Sequence, residues 1–188
     1  MSQQALLRRI VEALDGAGIP YMLTGSLVSS LQGEPRATHD IDLVIDITAG
    51  DVARVTEALS APEVYLDEHA VSDATRRRTV FNLIDSSSGD KADFWLLTED
   101  PFDRERFARR LLVEALGLPL SVSTPEDTIL MKLRWSALAG GSEKQLNDAL
   151  RVYELQAGSL DEGYLDEWAV RLEVTAALAA IRGQARAG

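Results

Sequence analysis

Thr24-Gly25-Ser26, then thirteen residues, then Asp40-Ile41-Asp42-Leu43-Val44-Ile45: this pair of segments decides the reading of the chain. The second is dense in β-branched and aliphatic residues and predicts a strand over Ile41–Ile47. Side chains alternate along a strand, so Asp40 and Asp42 share one face, while Ile41, Leu43 and Ile45 share the other and point to a core. Two neighbouring carboxylates repel, and a bound dication removes that repulsion. Hard oxygen donors suit Mg2+ or Mn2+, ions that also take phosphate oxygens and water. Gly25-Ser26 falls between a predicted strand, Tyr21–Thr24, and a short helix over about Leu27–Gln32. Glycine there permits a sharp turn and close approach of a ligand, and the N–H groups opening a helix favour phosphate. Gly25 and Ser26 are therefore candidate nucleotide-binding residues, the Ser26 hydroxyl adding a donor to a terminal phosphate oxygen.

Moving outward, Thr79–Ile84 and Ala92–Leu97 read as two strands joined by the polar, glycine-bearing link from Asp85 to Asp90, which predicts a hairpin. With Phe94 and Leu96 facing the core, Asp93 takes the opposite face. If that strand lies beside the one carrying Asp40 and Asp42, three carboxylates converge. Such a site suits in-line transfer at phosphorus: one metal holds a triphosphate, and a second lowers the pKa of an acceptor hydroxyl. Asp40 and Asp42 are expected to hold both metals, and Asp93 the acceptor-side metal while helping to deprotonate the acceptor. Arg78, entering the strand that leads to Asn82, is a candidate for the triphosphate; the plainer reading is a solvated arginine.

The rest of the chain sets the frame. Leu6, Leu7, Ile10, Val11 and Leu14 make the apolar stripe of a first helix over about 2–16, and helices are expected near 50–59 and 101–109. Residues 62–66 give a weak strand signal, 67–75 a loop or helix, and Leu118–Val122 a last strand. Beyond Thr124-Pro125-Glu126-Asp127, a cap followed by proline and acids, the chain reads as wholly helical. Ser142 to Gln145 has capping-box spacing, and further helices fit 162–171 and 174–183. The expected fold is α+β: a mixed twisted sheet flanked by helices over 1–123, with a helical extension over 124–188 packed on it.

Composition narrows the chemistry. There is no cysteine, so thiolate metal sites and disulfides are excluded. The net charge of −11 argues against nucleic-acid binding through an overall field. Local basic runs, Arg76 to Arg78 and Arg104, Arg106, Arg109 and Arg110, are the places where a nucleic-acid end could dock. The N-terminal stretch lacks the unbroken apolar run of a signal peptide and no segment reaches membrane-spanning length, which makes the cytoplasm the expected location. Trp95 shares the face of Asp93, with burial against the helical extension as its expected role. Trp135 and Trp168 are expected in helix packing.

The Gly-Ser pair, the Asp-x-Asp and the later aspartate resemble the polymerase-β-like nucleotidyltransferase superfamily. Within it, Pro35-Arg36-Ala37-Thr38-His39-Asp40-Ile41-Asp42, Phe81-Asn82-Leu83-Ile84-Asp85, Lys91-Ala92-Asp93-Phe94 and Thr124-Pro125-Glu126-Asp127 leading to Lys132 look most like the nucleotidyltransferase-like proteins of abortive-infection toxin–antitoxin systems. The likeness covers roughly residues 20–155 and implies transfer of a nucleoside monophosphate (NMP) from a nucleoside triphosphate (NTP) to a hydroxyl, with release of pyrophosphate. It implies a phosphate contact for Lys132 and a paired role for Lys144 and Asp148, where the family more often has arginine than lysine. It also implies a toxin role, with a tRNA end, a protein or a small molecule as acceptor and a cognate antitoxin as partner. Two other readings stand beside it. One is a catalytically silent nucleotide-sensing or interaction module. The other is a phosphate- or sugar-binding α/β domain in which the aspartates serve polar packing.

Overall fold

The computed structural model describes residues 3–35, 38 and 40–186; Arg36 and His39, quoted above, lie outside the described residues. The chain divides into two compact units, Met1–Thr24 with Thr38–Val122, and Gly25–Ala37 with Ser123–Gly188.

The first unit holds the sheet. Its elements are α1 (Gln3–Gly16), β1 (Tyr21–Thr24), β2 (Asp40–Ile45), α3 (Val52–Leu59, entered through a 3-10 turn at Ala49–Asp51), β3 (Val64–Leu66), α4 (Glu68–Arg77), β4 (Val80–Asp85), β5 (Lys91–Leu96), α5 (Pro101–Ala108), β6 (Leu111–Ala115) and β7 (Leu118–Val122). The described strands form one seven-stranded sheet in the order β3-β4-β5-β2-β1-β7-β6. β2 pairs parallel with β5 and antiparallel with β1, while β4 and β5 form the antiparallel hairpin expected from sequence. The sheet is mixed, as its sequence pattern implies.

Alternation sets the two faces. Ile41, Leu43, Ile45, Phe81, Leu83, Ala92, Phe94 and Leu96 are buried on one. There Phe81 and Phe94 stack with ring centroids 4.8 Å apart. On the other face Met22 and Val44 join Leu97 and Phe107 in a small apolar cluster. Asp40, Asp42 and Asp93 lie on this face too, Asp40 exposed and Asp42 and Asp93 half-buried.

Three local readings change. The weak stretch 67–75 is the helix α4, because the Asp67 side chain accepts from the His69 and Ala70 amides and so caps it. The strand β6 had no sequence signal. It forms because Leu116 and Gly117, with φ of 54° and 70°, make a two-residue turn of the hand that suits a hairpin, and the Gln4 side chain donates to the Leu116 carbonyl at 3.0 Å. Ser142 does stand at the N-cap of a helix, but its side chain makes no capping hydrogen bond, so the expected capping box does not form.

The second unit is helical: α2 (Gly25–Gln32), α6 (Pro125–Leu138), α7 (Glu143–Leu155), α8 (Glu162–Arg171) and α9 (Thr175–Ala185). The sequence reading places residues 25–37, with their short helix, in the unit over 1–123; by compactness they group with the later helices. Gln32 explains why: its side chain donates to the Ser123 carbonyl at 2.6 Å, and its own carbonyl accepts from Gln156 at 2.8 Å. Gly33 lets α2 approach α7 closely, since a Cβ there would stand 2.9 Å from the Ser29 carbonyl and 3.0 Å from the Val152 nitrogen. Thr124 caps α6 through the Asp127 amide at 3.1 Å, as the sequence predicts. Trp168 is buried, while Trp135, also expected in helix packing, is 43 % exposed.

Candidate active site

Four strands of the first unit bring one residue each into a row: Thr24 of β1 opposite Asp42 of β2, Asp42 beside Asp93 of β5, and Asp93 opposite Asn82 of β4. One step along β2 and β5, Asp40 stands beside Lys91. Adjacent strands run about 4.8 Å apart and residues two apart on a strand share a face. Asp40, Asp42 and Asp93 therefore lie on one open face, at the two central positions of the row and one position beyond it.

The carboxylates are not left facing one another alone. Lys91 places its Nζ 3.0 Å from one Asp93 oxygen, and Asn82 donates its side-chain amide to the other at 2.5 Å. The hydrogen bond to Asp93, with the nearby charges of Asp93, Asp40 and Asp42, raises the Lys91 pKa against the opposing pull of burial. Lys91 is thus a firm ammonium within an acidic patch. Neither Lys91 nor Asn82 stood among the site residues read from sequence. The signal was there, because counting back two from Asp93 puts Lys91 on the same face.

The remaining expected residues divide. Gly25 follows Thr24 in the chain and opens α2 with φ of 69°, a left-handed value that glycine adopts without strain. Arg78 goes elsewhere. It ends α4 with φ of 53°, and its guanidinium donates to the Ile47 carbonyl at 2.8 Å. That hydrogen bond ties the end of α4 to the stretch just after β2. Arg78 precedes β4 by two residues, and Val80, the first residue of that strand, pairs with Trp95. Lys132 lies in the helical unit with Nζ 2.8 Å from Asp148, both side chains nearly inaccessible at 5 % and 6 %. Lys132, for which the resemblance implies a phosphate contact, is thus part of a buried ion pair, and Asp148 takes Lys132 as partner where Lys144 was expected. Trp95 is 36 % exposed on the open face, not sealed in a core. The arginine runs are also engaged: Arg76 with Asp73, Arg104 with Asp46 and Glu99, Arg106 with Asp103, and Arg110 over the Phe107 ring.

The donors fit a hard divalent cation in kind: carboxylate oxygens in register, with a positive charge already drawn among them. Among the described residues no three acidic or imidazole groups are gathered closely enough to enclose an ion.

Set beside known proteins, the chain matches the family model of aminoglycoside-2''-adenylyltransferase over residues 6–90, a little under half its length and enough to include Gly25, Ser26, Asp40 and Asp42. The antibiotic-resistance factor ANT(2'')-Ia, solved in solution, superposes over 99% of this chain and 98% of its own at TM-score 0.55 and 16% identity. This chain has the nucleotidyltransferase fold. Its nucleotidyltransferase fold is shared with an antigenic nucleotidyltransferase-like protein from Paracoccidioides brasiliensis, at TM-score 0.53 and 17% identity over 95% of this chain and 94% of that one. It is shared too with a nucleotidyltransferase candidate from Thermotoga maritima, at TM-score 0.50 and 20% identity over 77% and 92%. A crystal structure of ANT(2'')-Ia in complex with adenylyl-2''-tobramycin matches at TM-score 0.55 and 16% identity, over 98% of this chain and 99% of that one. No curated protein matches the chain by sequence. Among the described residues no helix is long and apolar enough to cross a membrane.

Proposed function

We propose that this nucleotidyltransferase moves an NMP, with adenylate as the first choice, from an NTP to a hydroxyl of a small cationic polyol, releasing pyrophosphate. The observation that carries the reading is the in-register pair Asp42–Asp93 with Asp40 on the same open face. The aminoglycoside family match and the net charge of −11 favour a cationic acceptor over the tRNA end or protein hydroxyl that the toxin resemblance implies.

In this reading Asp40, Asp42 and Asp93 hold Mg2+ or Mn2+. The ion's chemistry is to neutralise the triphosphate and lower the pKa of the acceptor hydroxyl. Gly25 and Ser26, next in the chain after Thr24, donate N–H and hydroxyl hydrogen bonds to phosphate oxygens. Asp93 accepts the acceptor's hydroxyl proton. The freed oxygen bonds to the α-phosphorus as the bond to pyrophosphate breaks in line, and Asn82 keeps the Asp93 carboxylate from rotating.

The test is incubation with Mg2+, each NTP and tobramycin, following pyrophosphate and the mass of the acceptor. The intact protein should add one NMP to the acceptor. Asp42→Asn and Asp93→Asn should each lower turnover by roughly 10²–10³-fold, the scale for losing one group that stabilises developing charge. Unchanged turnover in Asp42→Asn refutes the assignment. NTP binding without transfer to any hydroxyl would favour the sensing module.

A further inference from the structure

Lys91 bears on how the site accepts a cation, an inference that rests on the metal-binding reading just given. Three features meet at one carboxylate. Asp93 has one oxygen held by the Asn82 amide and the other 3.0 Å from the Lys91 ammonium. Lys91 stands beside Asp40 in the β2–β5 register, so its charge falls among all three acids. Its side chain is 40 % exposed while that of Asp93 is only 16 % exposed, so the ammonium can swing outward and the carboxylate stays in place.

We propose that Lys91 is the site's internal counter-cation: it holds Asp93 until a divalent ion arrives and is displaced from that oxygen when the ion binds. Ion uptake at Asp93 is then an exchange of one cation for another, with Asn82 keeping its grip on the second oxygen throughout. The arrangement has a use. Without the ammonium, three carboxylates on one face would repel one another; with it, that repulsion is offset until the ion arrives. The displaced ammonium is left with a free end at the same face, where a triphosphate would supply a new partner. Ion and nucleotide thus favour each other's binding, because the nucleotide stabilises the swung-out lysine that the ion requires.

The experiment measures Mn2+ binding alone, by calorimetry and by the paramagnetic signal of the free ion, on the full chain. Lys91→Met and Lys91→Gln should bind Mn2+ about two- to fivefold more tightly than the unaltered protein, the ratio expected when a half-exposed ion pair no longer competes. Lys91→Arg should resemble the unaltered protein. In an Asp93→Asn background Lys91→Met should bring no gain, since the contested oxygen is gone. Thermal melts confirm that each variant is folded. Equal or weaker Mn2+ binding in both neutral variants overturns the proposal, as does a gain that persists with Asp93→Asn. If the unaltered protein binds Mn2+, Asp42→Asn abolishes that binding and the neutral variants gain nothing, only the exchange falls. If neither the unaltered protein nor the neutral variants bind Mn2+, the metal reading falls and takes the exchange with it.

Discussion

Asp93 is gripped at both oxygens, by Asn82 and by Lys91, so its carboxylate plane is set before any substrate arrives. Removing the amide should let it rotate. Asn82→Ala is expected to lower kcat by roughly 10–100-fold, the scale for a partner that orients a ligand side chain, with the NTP KM little changed. Steady-state kinetics separates this from lost binding, which would raise KM instead. Lys132 presents the opposite case. Its pair with Asp148 is buried in the helical unit, and removing one partner strands the other charge. Lys132→Met should cost about 3–5 kcal/mol in urea unfolding, and a Lys132→Met, Asp148→Leu double variant should regain most of it. At this scale the sequence was legible where alternation rules. Asp40, Asp42 and Asp93 fall on one face because the strand period is two. The Lys132–Asp148 pair was not legible because the partner lies sixteen residues away on another helix, a distance no local pattern carries.

Among the elements, the β4–β5 hairpin and the strands around it followed from their apolar alternation, whereas β6 did not. A turn built on Leu116 carries no turn signal, since leucine seldom takes a positive φ. The placement of α2 with the later helices was equally hidden, resting on Gln32 and Gly33 meeting residues far along the chain. Gly33→Ala should cost about 1–3 kcal/mol, because the backbone of α2 and α7 on either side has no flexible side chain to move aside. The hairpin turn brings a pH dependence. Asp85, fully buried, accepts from the Ser87 hydroxyl and from the Ser87 and Ser88 amides, and its pKa is lowered to about 2, chiefly by the Ser87 hydrogen bonds. A folded-state value below the unfolded one of about 3.9 means stabilisation that is present above pH ~4 and lost as pH falls toward about 2. Thermal melts between pH 7 and pH 2 should show this loss, and Asp85→Asn should flatten that limb of the curve while lowering Tm at pH 7.

For the molecule as a whole, charge is the feature most open to test. A net −11 draws cationic acceptors and repels polyanions. With a polyamine-bearing acceptor, kcat/KM should fall as ionic strength rises from ~0.01 M to ~0.5 M, since screening shortens the reach of that field. With an uncharged polyol the slope should vanish. The sheet order adds a consequence of its own. β2 and β5, which carry the acids, lie at interior positions with a paired strand on each side, while β3 and β6 form the rims. Deuterium should therefore enter the amides of β6 and β3 early and those around Asp42 and Asp93 last. The proposed ligands are thus mounted on strands expected to open last, so fraying at the rims leaves them aligned.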